Sequence, residues 1–203
     1  MDSLPPIVLN LNFDATVIAA AASLAGLFLL WRWDRRRRMR AARALAVTDC
    51  GYEYLRNVLV PDGQGSTLHV DFLLLTARGL VVIDLRDIEG NIFGGDQMTE
   101  WTVMHRALRY TFPNPQPGLY DRIAAVRALA PELPIEGRAV FTNSGHFPKG
   151  LPRHTLMLDS LAAEFPASDR HAMSGLLERW IPAWLLIVKS VTPSKLASPK
   201  AAI

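Results

Sequence analysis

The sequence predicts an α/β domain, a mixed β-sheet flanked by helices, that follows one N-terminal transmembrane helix. Three observations support this prediction. Residues 15–33 are apolar, with no charge before Arg32. Two strand-like segments, residues 67–75 and 80–86, are separated by a four-residue turn. Residues 119–130 have apolar residues at helical spacing and precede a further strand, an alternation that is typical of α/β domains.

The first predicted element is a transmembrane helix over residues 15–33, "ATVIAAAASLAGLFLLWRW". Eighteen helical residues extend about 27 Å, which is close to the apolar thickness of a bilayer. Trp31 and Trp33 lie at its end, where aromatic residues meet the membrane interface, and Arg32 can reach the headgroups. The alternative is a buried core helix with a solvated basic end.

The charges on either side of this segment predict its orientation. Residues 32–43 hold seven arginines and one acid, whereas residues 1–14 hold two acids and no lysine or arginine. Signal peptides carry their positive charge before the apolar stretch, so cleavage is not expected. The positive-inside rule predicts a single-pass protein of the cell inner membrane, with the N-terminus outside and the domain in the cytoplasm. Anionic lipid headgroups would then contact Arg35–Arg38.

Five segments follow from these patterns. Residues 1–14 are an extracytoplasmic N-terminus, and residues 15–33 are the membrane span. Residues 34–48 are predicted to continue as a basic juxtamembrane helix. The folded domain occupies residues 49–188. Residues 189–203 are small, polar and proline-bearing, which predicts a disordered tail.

The basic isoelectric point, about 9.3, does not indicate a nucleic-acid surface. The arginine run at residues 32–43 contributes +6, while the whole chain carries +3 and residues 44–203 carry −1. The domain itself is therefore near neutral. A single cysteine, Cys50, excludes an intrachain disulfide, and it is interpreted as a small core residue rather than as a nucleophile.

The predicted hairpin carries acids inside strands that are otherwise apolar. Because side chains alternate between faces, His69 and Asp71 share one face of the first strand, and Asp84 and Arg86 share one face of the second. A buried carboxylate is unfavourable unless it is paired or bound to a cation. If the two acids meet, their oxygens suit Mg²⁺, which can polarise a phosphodiester. The alternative is an ion pair between Asp84 and Arg86 at the end of a strand.

The segment "HVDFLLLTARGLVVIDLRDIEGNIFGG", followed by Trp101, "NPQ" at 114–116 and "AVF" at 139–141, resembles the nuclease-related domain, NERD, a branch of the PD-(D/E)xK nuclease superfamily. The similarity covers roughly residues 45–165 and lies in the order and spacing of these motifs. It implies a PD-(D/E)xK nuclease-like mixed sheet. Membrane segments at the N-terminus also occur in this family.

The family pattern has an acid in the second strand, a glycine at the turn and an acid-x-Lys at the end of the third strand. These positions are Asp71, Gly79 and Asp84-Leu85-Arg86 here. The resemblance therefore implies a metal-dependent endonuclease with Asp71 and Asp84 as Mg²⁺ ligands. Arg86 would stabilise the phosphoryl charge, and DNA would be the substrate.

Three positions depart from the family pattern. Arg86 replaces the lysine, and arginine stays charged and cannot act as a base. Asp84 is one methylene shorter than the usual glutamate, and residues 35–48 contain no counterpart to the acid of the first helix. Two functions therefore remain open. One is a divergent Mg²⁺-dependent nuclease acting on DNA phosphodiesters; the other is a catalytically degenerate nuclease fold that serves as a membrane-tethered binding or scaffolding module.

Overall fold

The computed structural model describes residues 15–166 and 174–194. The helices are α1 (Ala15–Thr48), α2 (Pro115–Leu129), α3 (Leu161–Glu164) and α4 (Ser174–Ser190), with a 3₁₀ turn at Leu158–Ser160. The strands are β1 (Glu53–Pro61), β2 (Thr67–Thr76), β3 (Gly79–Arg86), β4 (Gly90–Phe93), β5 (Glu100–His105), β6 (Leu108–Pro113), β7 (Ile135–Phe141), β8 (Gly145–His146), β9 (Thr155–Met157) and β10 (Thr192–Pro193). Contacts divide the chain into two units, Met1–Ala42 and Arg43–Ile203.

The first unit consists of most of α1. Its apolar side chains are exposed, Leu27 by 63% and Leu30 by 64%. The segment Val17–Thr48 is long and apolar enough to cross a membrane, a property that membrane spans share with signal sequences. In the basic part, Asp34 pairs with Arg38 one turn later at 2.8 Å, which supports the helix. Residues 1–14, the predicted extracytoplasmic segment, lie outside the described residues.

The second unit contains the predicted mixed sheet. Within the described residues this main sheet has six strands in the order β10-β1-β2-β3-β7-β9. β1, β2 and β3 pair antiparallel, whereas β7 lies parallel to β3 and β9 lies parallel to β7. The predicted hairpin is confirmed, with Phe72 opposite Ile83. The prediction of an α/β mixed sheet flanked by helices is thus confirmed.

Helices cover both faces of the main sheet. Leu73 and Val82 pack on the face that includes Leu119 of α2. Leu74 packs on the opposite face in a cluster with Val47 from the end of α1. This double burial explains why β2 and β3 are nearly continuous apolar runs.

A second sheet, with the order β6-β5-β4-β8, was not predicted from the sequence. In its hairpin at residues 100–113, Trp101 and Val103 are buried while Met104 is exposed. The Trp101 ring lies 5.9 Å from the rings of both Phe112 and Phe141. The sheet therefore packs onto the core through this tryptophan.

Helix α2 begins at Pro115, four residues before the predicted start. Asn114 is its N-cap, and the Asn114 side chain accepts a bond from the Gln116 backbone N–H at 2.9 Å. The buried Gln116 amide donates to Asp96 Oδ1 at 2.9 Å and to the Arg153 carbonyl at 2.7 Å. Proline at the first helical position needs no hydrogen-bond acceptor there. The start of α2 is thus fixed by a polar cluster rather than by apolar packing.

The C-terminal part of the domain extends further than predicted. Helix α4 continues to Ser190, and β10 pairs with β1 through Val58 and Pro193. This part of the predicted tail, residues 189–203, is therefore in regular structure. Residues 195–203 lie outside the described residues.

We expect Gly79→Ala to lower the free energy of unfolding by about 3 kcal/mol. Gly79 has φ +115°, and a Cβ atom there would lie 2.2 Å from the Pro134 carbonyl oxygen. Gly63→Ala is the control, because Gly63 has φ +77° but open space around it. The control should lose about 1 kcal/mol, from the backbone conformation alone. Urea unfolding followed by tryptophan fluorescence measures both, and equal losses would contradict the role of the Pro134 contact.

A second prediction concerns Asp96 and pH. Hydrogen bonds from the Gln116 amide and the Arg153 backbone N–H hold the pKa of Asp96 below its ordinary value of 3.8. The charged carboxylate therefore stabilises the fold above that value, and the contribution is lost as the pH falls through the lowered pKa. Asp96→Asn should lower the urea midpoint at pH 7, and the difference from the wild type should shrink below pH 3.8. The exposed Asp159→Asn is the control; a pH-independent loss in Asp96→Asn would contradict this account.

Candidate functional site

The predicted site residues lie at the end of the central hairpin. Asp71 and Asp84 are buried, with 6% and 4% exposure. They are the next residues on β2 and β3 after the pair formed by Phe72 and Ile83. Strand alternation places them on the face that also carries Leu73, beneath α2. The structure therefore brings the two acids to neighbouring positions on one face.

Asp84 is held by two arginines. Arg86 Nη2 donates to Asp84 Oδ2 at 2.7 Å. Arg122 Nη1, which comes from α2, lies 3.5 Å from the same oxygen. One carboxylate oxygen thus faces two guanidinium groups that come from different elements.

Asp71 contacts a backbone amide and a histidine. Its Oδ2 accepts a bond from the Leu85 backbone N–H at 2.9 Å. Its Oδ1 lies 3.4 Å from His69 Nδ1. Asp71 therefore joins the two strands through its side chain, at a position where a backbone bond would otherwise be expected.

The strands β2 and β3 part at this point. Before Phe72, β2 is paired with β1, as Val70 is opposite Val58. Beyond Ile83, β3 is paired with β7, as Arg86 is opposite Phe141. We call this divergence the fork, and its contents are the side chains of Asp71, Asp84, Arg86 and Arg122. Arg122 Nε also donates to the His69 carbonyl oxygen at 2.6 Å, a backbone group at the edge of the fork.

The donor set of the fork does not match a divalent cation. Mg²⁺ requires near-octahedral oxygen coordination. Asp84 instead directs an oxygen at two positive groups, which a metal ion would have to displace. In the part of the chain that the structure describes, no group of three or more His, Cys, Asp or Glu side chains converges on one point. Metal ligation by Asp71 and Asp84 stays a prediction, and the residues in this arrangement do not provide a Mg²⁺ site.

Several nitrogens around the fork lack acceptors. Arg86 Nε, Arg122 Nη1 and His69 Nε2 are buried and have no hydrogen-bond partner among the described residues. Buried polar atoms in proteins are usually paired, so an excess of donors over acceptors is an informative departure. The fork therefore holds more hydrogen-bond donors than its own acceptors use.

Arg122 was not identified from the sequence. It lies on α2 three residues after Leu119 and four before Val126, both fully buried. An arginine between core positions of an amphipathic helix is the signal that could have marked it. Its carboxylate partner lies 38 residues earlier in the chain, so the pairing itself had no local pattern.

Cys50 is not part of the site. It is buried in the cluster that contains Val47 and Leu74. Burial, together with the negative charge of Asp49, raises the pKa of the Cys50 thiol. The thiol therefore stays protonated at neutral pH, which is unfavourable for a nucleophile.

Comparison with known proteins places this fold and site in a family. Residues 34–142, more than half of the chain, match the family model of the nuclease-related domain. An uncharacterized protein of Bacillus anthracis is 30% identical over 91 residues, which are 44% of this chain and 43% of the relative. The chain thus spans less than half the length of that relative. No solved structure matches the chain. The protein therefore belongs to the nuclease-related domain (NERD) family.

Proposed function

We propose that this protein is a membrane-tethered NERD-domain module in which a nuclease-related centre serves binding rather than phosphodiester cleavage. Family membership supports a nuclease-related function in general. The observation that carries the more specific proposal is the pair of guanidinium groups on Asp84 Oδ2. These groups lie where a ligand oxygen would otherwise be open to a cation.

The chemistry of Arg86 supports the same conclusion. Arginine stays protonated at every physiological pH, so Arg86 cannot accept a proton from an attacking water. Its Nη2 atom is bonded to Asp84 rather than directed at solvent. Asp84 in turn has the role of a counter-ion, because its charge compensates the arginines. Asp71 has a positioning role, through its bond to the Leu85 amide.

The proposed tether is the apolar part of α1, residues 15–33. Its exposed apolar side chains and the arginines that follow support a single membrane span. Arg35 lies over the Trp31 ring at 5.5 Å and Arg37 over the Trp33 ring at 5.6 Å, pairs that suit a membrane interface. We propose an N-terminus outside the inner membrane and a cytoplasmic domain, with Arg35–Arg38 on anionic headgroups.

A second candidate is the Mg²⁺-dependent DNA nuclease that the family resemblance implies. The observation that favours it is the burial of Asp71 and Asp84 at neighbouring positions on one face. In that function the two acids would be the metal ligands and Arg86 would contact the phosphoryl group. It requires both arginines to leave Asp84, which the binding function does not.

A plasmid-nicking assay separates the two candidates. The purified full chain in detergent should leave supercoiled DNA intact with Mg²⁺ or Mn²⁺, because the arginines occupy Asp84 and no lysine is present at the position of Arg86. Agarose electrophoresis after long incubation measures the fraction nicked. Arg86→Lys tests whether the lost lysine alone silences the centre, and we expect this variant to remain inactive because Arg122 still contacts Asp84.

The contradicting result is metal-dependent nicking by the wild type that Asp84→Asn abolishes. Asp84→Asn keeps the size of the side chain and removes its charge, and circular dichroism checks that the variant is folded. Such a result would establish the nuclease candidate and exclude the binding-only proposal.

The tether is tested by membrane extraction. The full chain should stay in the membrane pellet after alkaline carbonate treatment and dissolve only in detergent, because about 18 apolar helical residues span a bilayer. Replacing Leu24, Leu27 and Leu30 by Arg is expected to release it, because charges at the centre of a span each oppose insertion. The control places the same three charges at Met98, Met104 and Leu108, exposed residues of the second unit, and should stay in the pellet. Release of the wild type by carbonate would contradict the tether.

A further inference from the structure

We propose that Arg86 and Arg122 form a binding site for one phosphate group that requires no metal ion. This inference rests on the proposed binding function and names the ligand of the same fork. The starting point is charge. Two guanidinium groups approach a single carboxylate oxygen, at 2.7 and 3.5 Å, so two positive charges meet one negative charge at that point. A bound anion would supply the missing counter-charge.

The hydrogen bonds of the two arginines leave the same deficit. Each guanidinium has five N–H donors. Arg86 donates to Asp84, and Arg122 donates to the His69 carbonyl. Arg86 Nε and Arg122 Nη1 are buried without a hydrogen-bond acceptor among the described residues. Water can accept such bonds, but it is neutral and leaves the second positive charge uncompensated.

The geometry of the donors favours phosphate over carboxylate. A carboxylate has two oxygens in one plane and matches one guanidinium fork. A phosphate group has three or more oxygens in a tetrahedral arrangement, so it can accept from two forks at once. The Arg86 and Arg122 side chains are 27% and 21% exposed, so their outer edges are within reach of solvent. A phosphate can therefore approach from solvent without displacing Asp84.

The charge of the surrounding domain limits the ligand to a compact one. Residues 44–203 sum to −1, whereas proteins that bind long polyanions present many cationic contacts. A single phosphate group, free or as part of a nucleotide chain, is the chemistry that the fork recognises. The two sources can be separated by experiment.

The test is a titration of the full chain in detergent with EDTA present and ionic strength held constant. Inorganic phosphate is followed by calorimetry, and a fluorescein-labelled single-stranded DNA oligonucleotide by anisotropy. We expect phosphate to bind without metal, and both Arg86→Gln and Arg122→Gln to weaken its affinity about tenfold or more. Arg122→Lys, which keeps the charge but not the fork, should give an intermediate affinity. Binding of phosphate alone would identify a small ligand, and tighter binding of the oligonucleotide a nucleic-acid backbone.

Arg127→Gln is the matched control. Arg127 lies on the same helix, α2, and its Nη2 atom contacts the Ile135 carbonyl at 3.5 Å rather than the fork. This variant should bind phosphate as the wild type does. Urea unfolding checks each variant. NMR of the arginine Nε–H groups of the wild type gives a readout that needs no variant, since the Arg86 and Arg122 signals should shift on addition of phosphate.

Three results would overturn the inference: no binding of either probe in EDTA, binding that appears only with Mg²⁺, or arginine signals that do not shift while phosphate binds. None of them depends on cleavage. If phosphate fails to bind and plasmid DNA stays intact, the phosphate site is wrong and the binding module still stands. If plasmid DNA is cut, the proposed function itself fails.

Discussion

The arrangement of the site depends on the buried charge of Asp84. A carboxylate removed from water is strongly unfavourable unless opposite charges and hydrogen bonds compensate it. One partner, Arg86, comes from the same strand, and the other, Arg122, comes from α2. The ion pair is therefore only as well defined as the position of α2. The Asn114 cap and the buried Gln116 amide fix the start of that helix. A shift of one helical turn, about 5.4 Å, would carry Arg122 out of range of the carboxylate.

Local patterns predicted the parts of the fold whose signals are local. The β2–β3 hairpin follows from two apolar runs around a turn with Gly79, and the parallel addition of β7 follows from an intervening helix. The second sheet was missed, although Trp101, Val103 and Met104 alternate between buried and exposed positions. The start of α2 was placed late because Pro115 and Pro117 were taken to break the helix, whereas proline is compatible with its first turn.

The candidate site was predictable only within its own strands. Strand alternation was sufficient to place Asp71, Asp84 and Arg86 on shared faces, and the ion pair between Asp84 and Arg86 is present. Arg122 could not be paired with Asp84 from sequence, because the contact depends on how α2 crosses the sheet. The role of the acids also turned on this missing partner. Two carboxylates with one arginine resemble a cation site, whereas the addition of a second arginine balances the charge.

The fork has a consequence for how such a fold can diversify. Between β2 and β3 the backbone ladder ends, and the contact of Asp71 with the Leu85 amide and of Arg122 with the His69 carbonyl takes its place. Because side chains close this gap, substitutions can reset its net charge while the main-chain pairing of β1 with β2 and of β3 with β7 persists. The same scaffold can then exchange a preference for cations for a preference for anions in a few mutational steps. The architecture and the chemistry of its centre are thus separable traits, free to evolve at different rates.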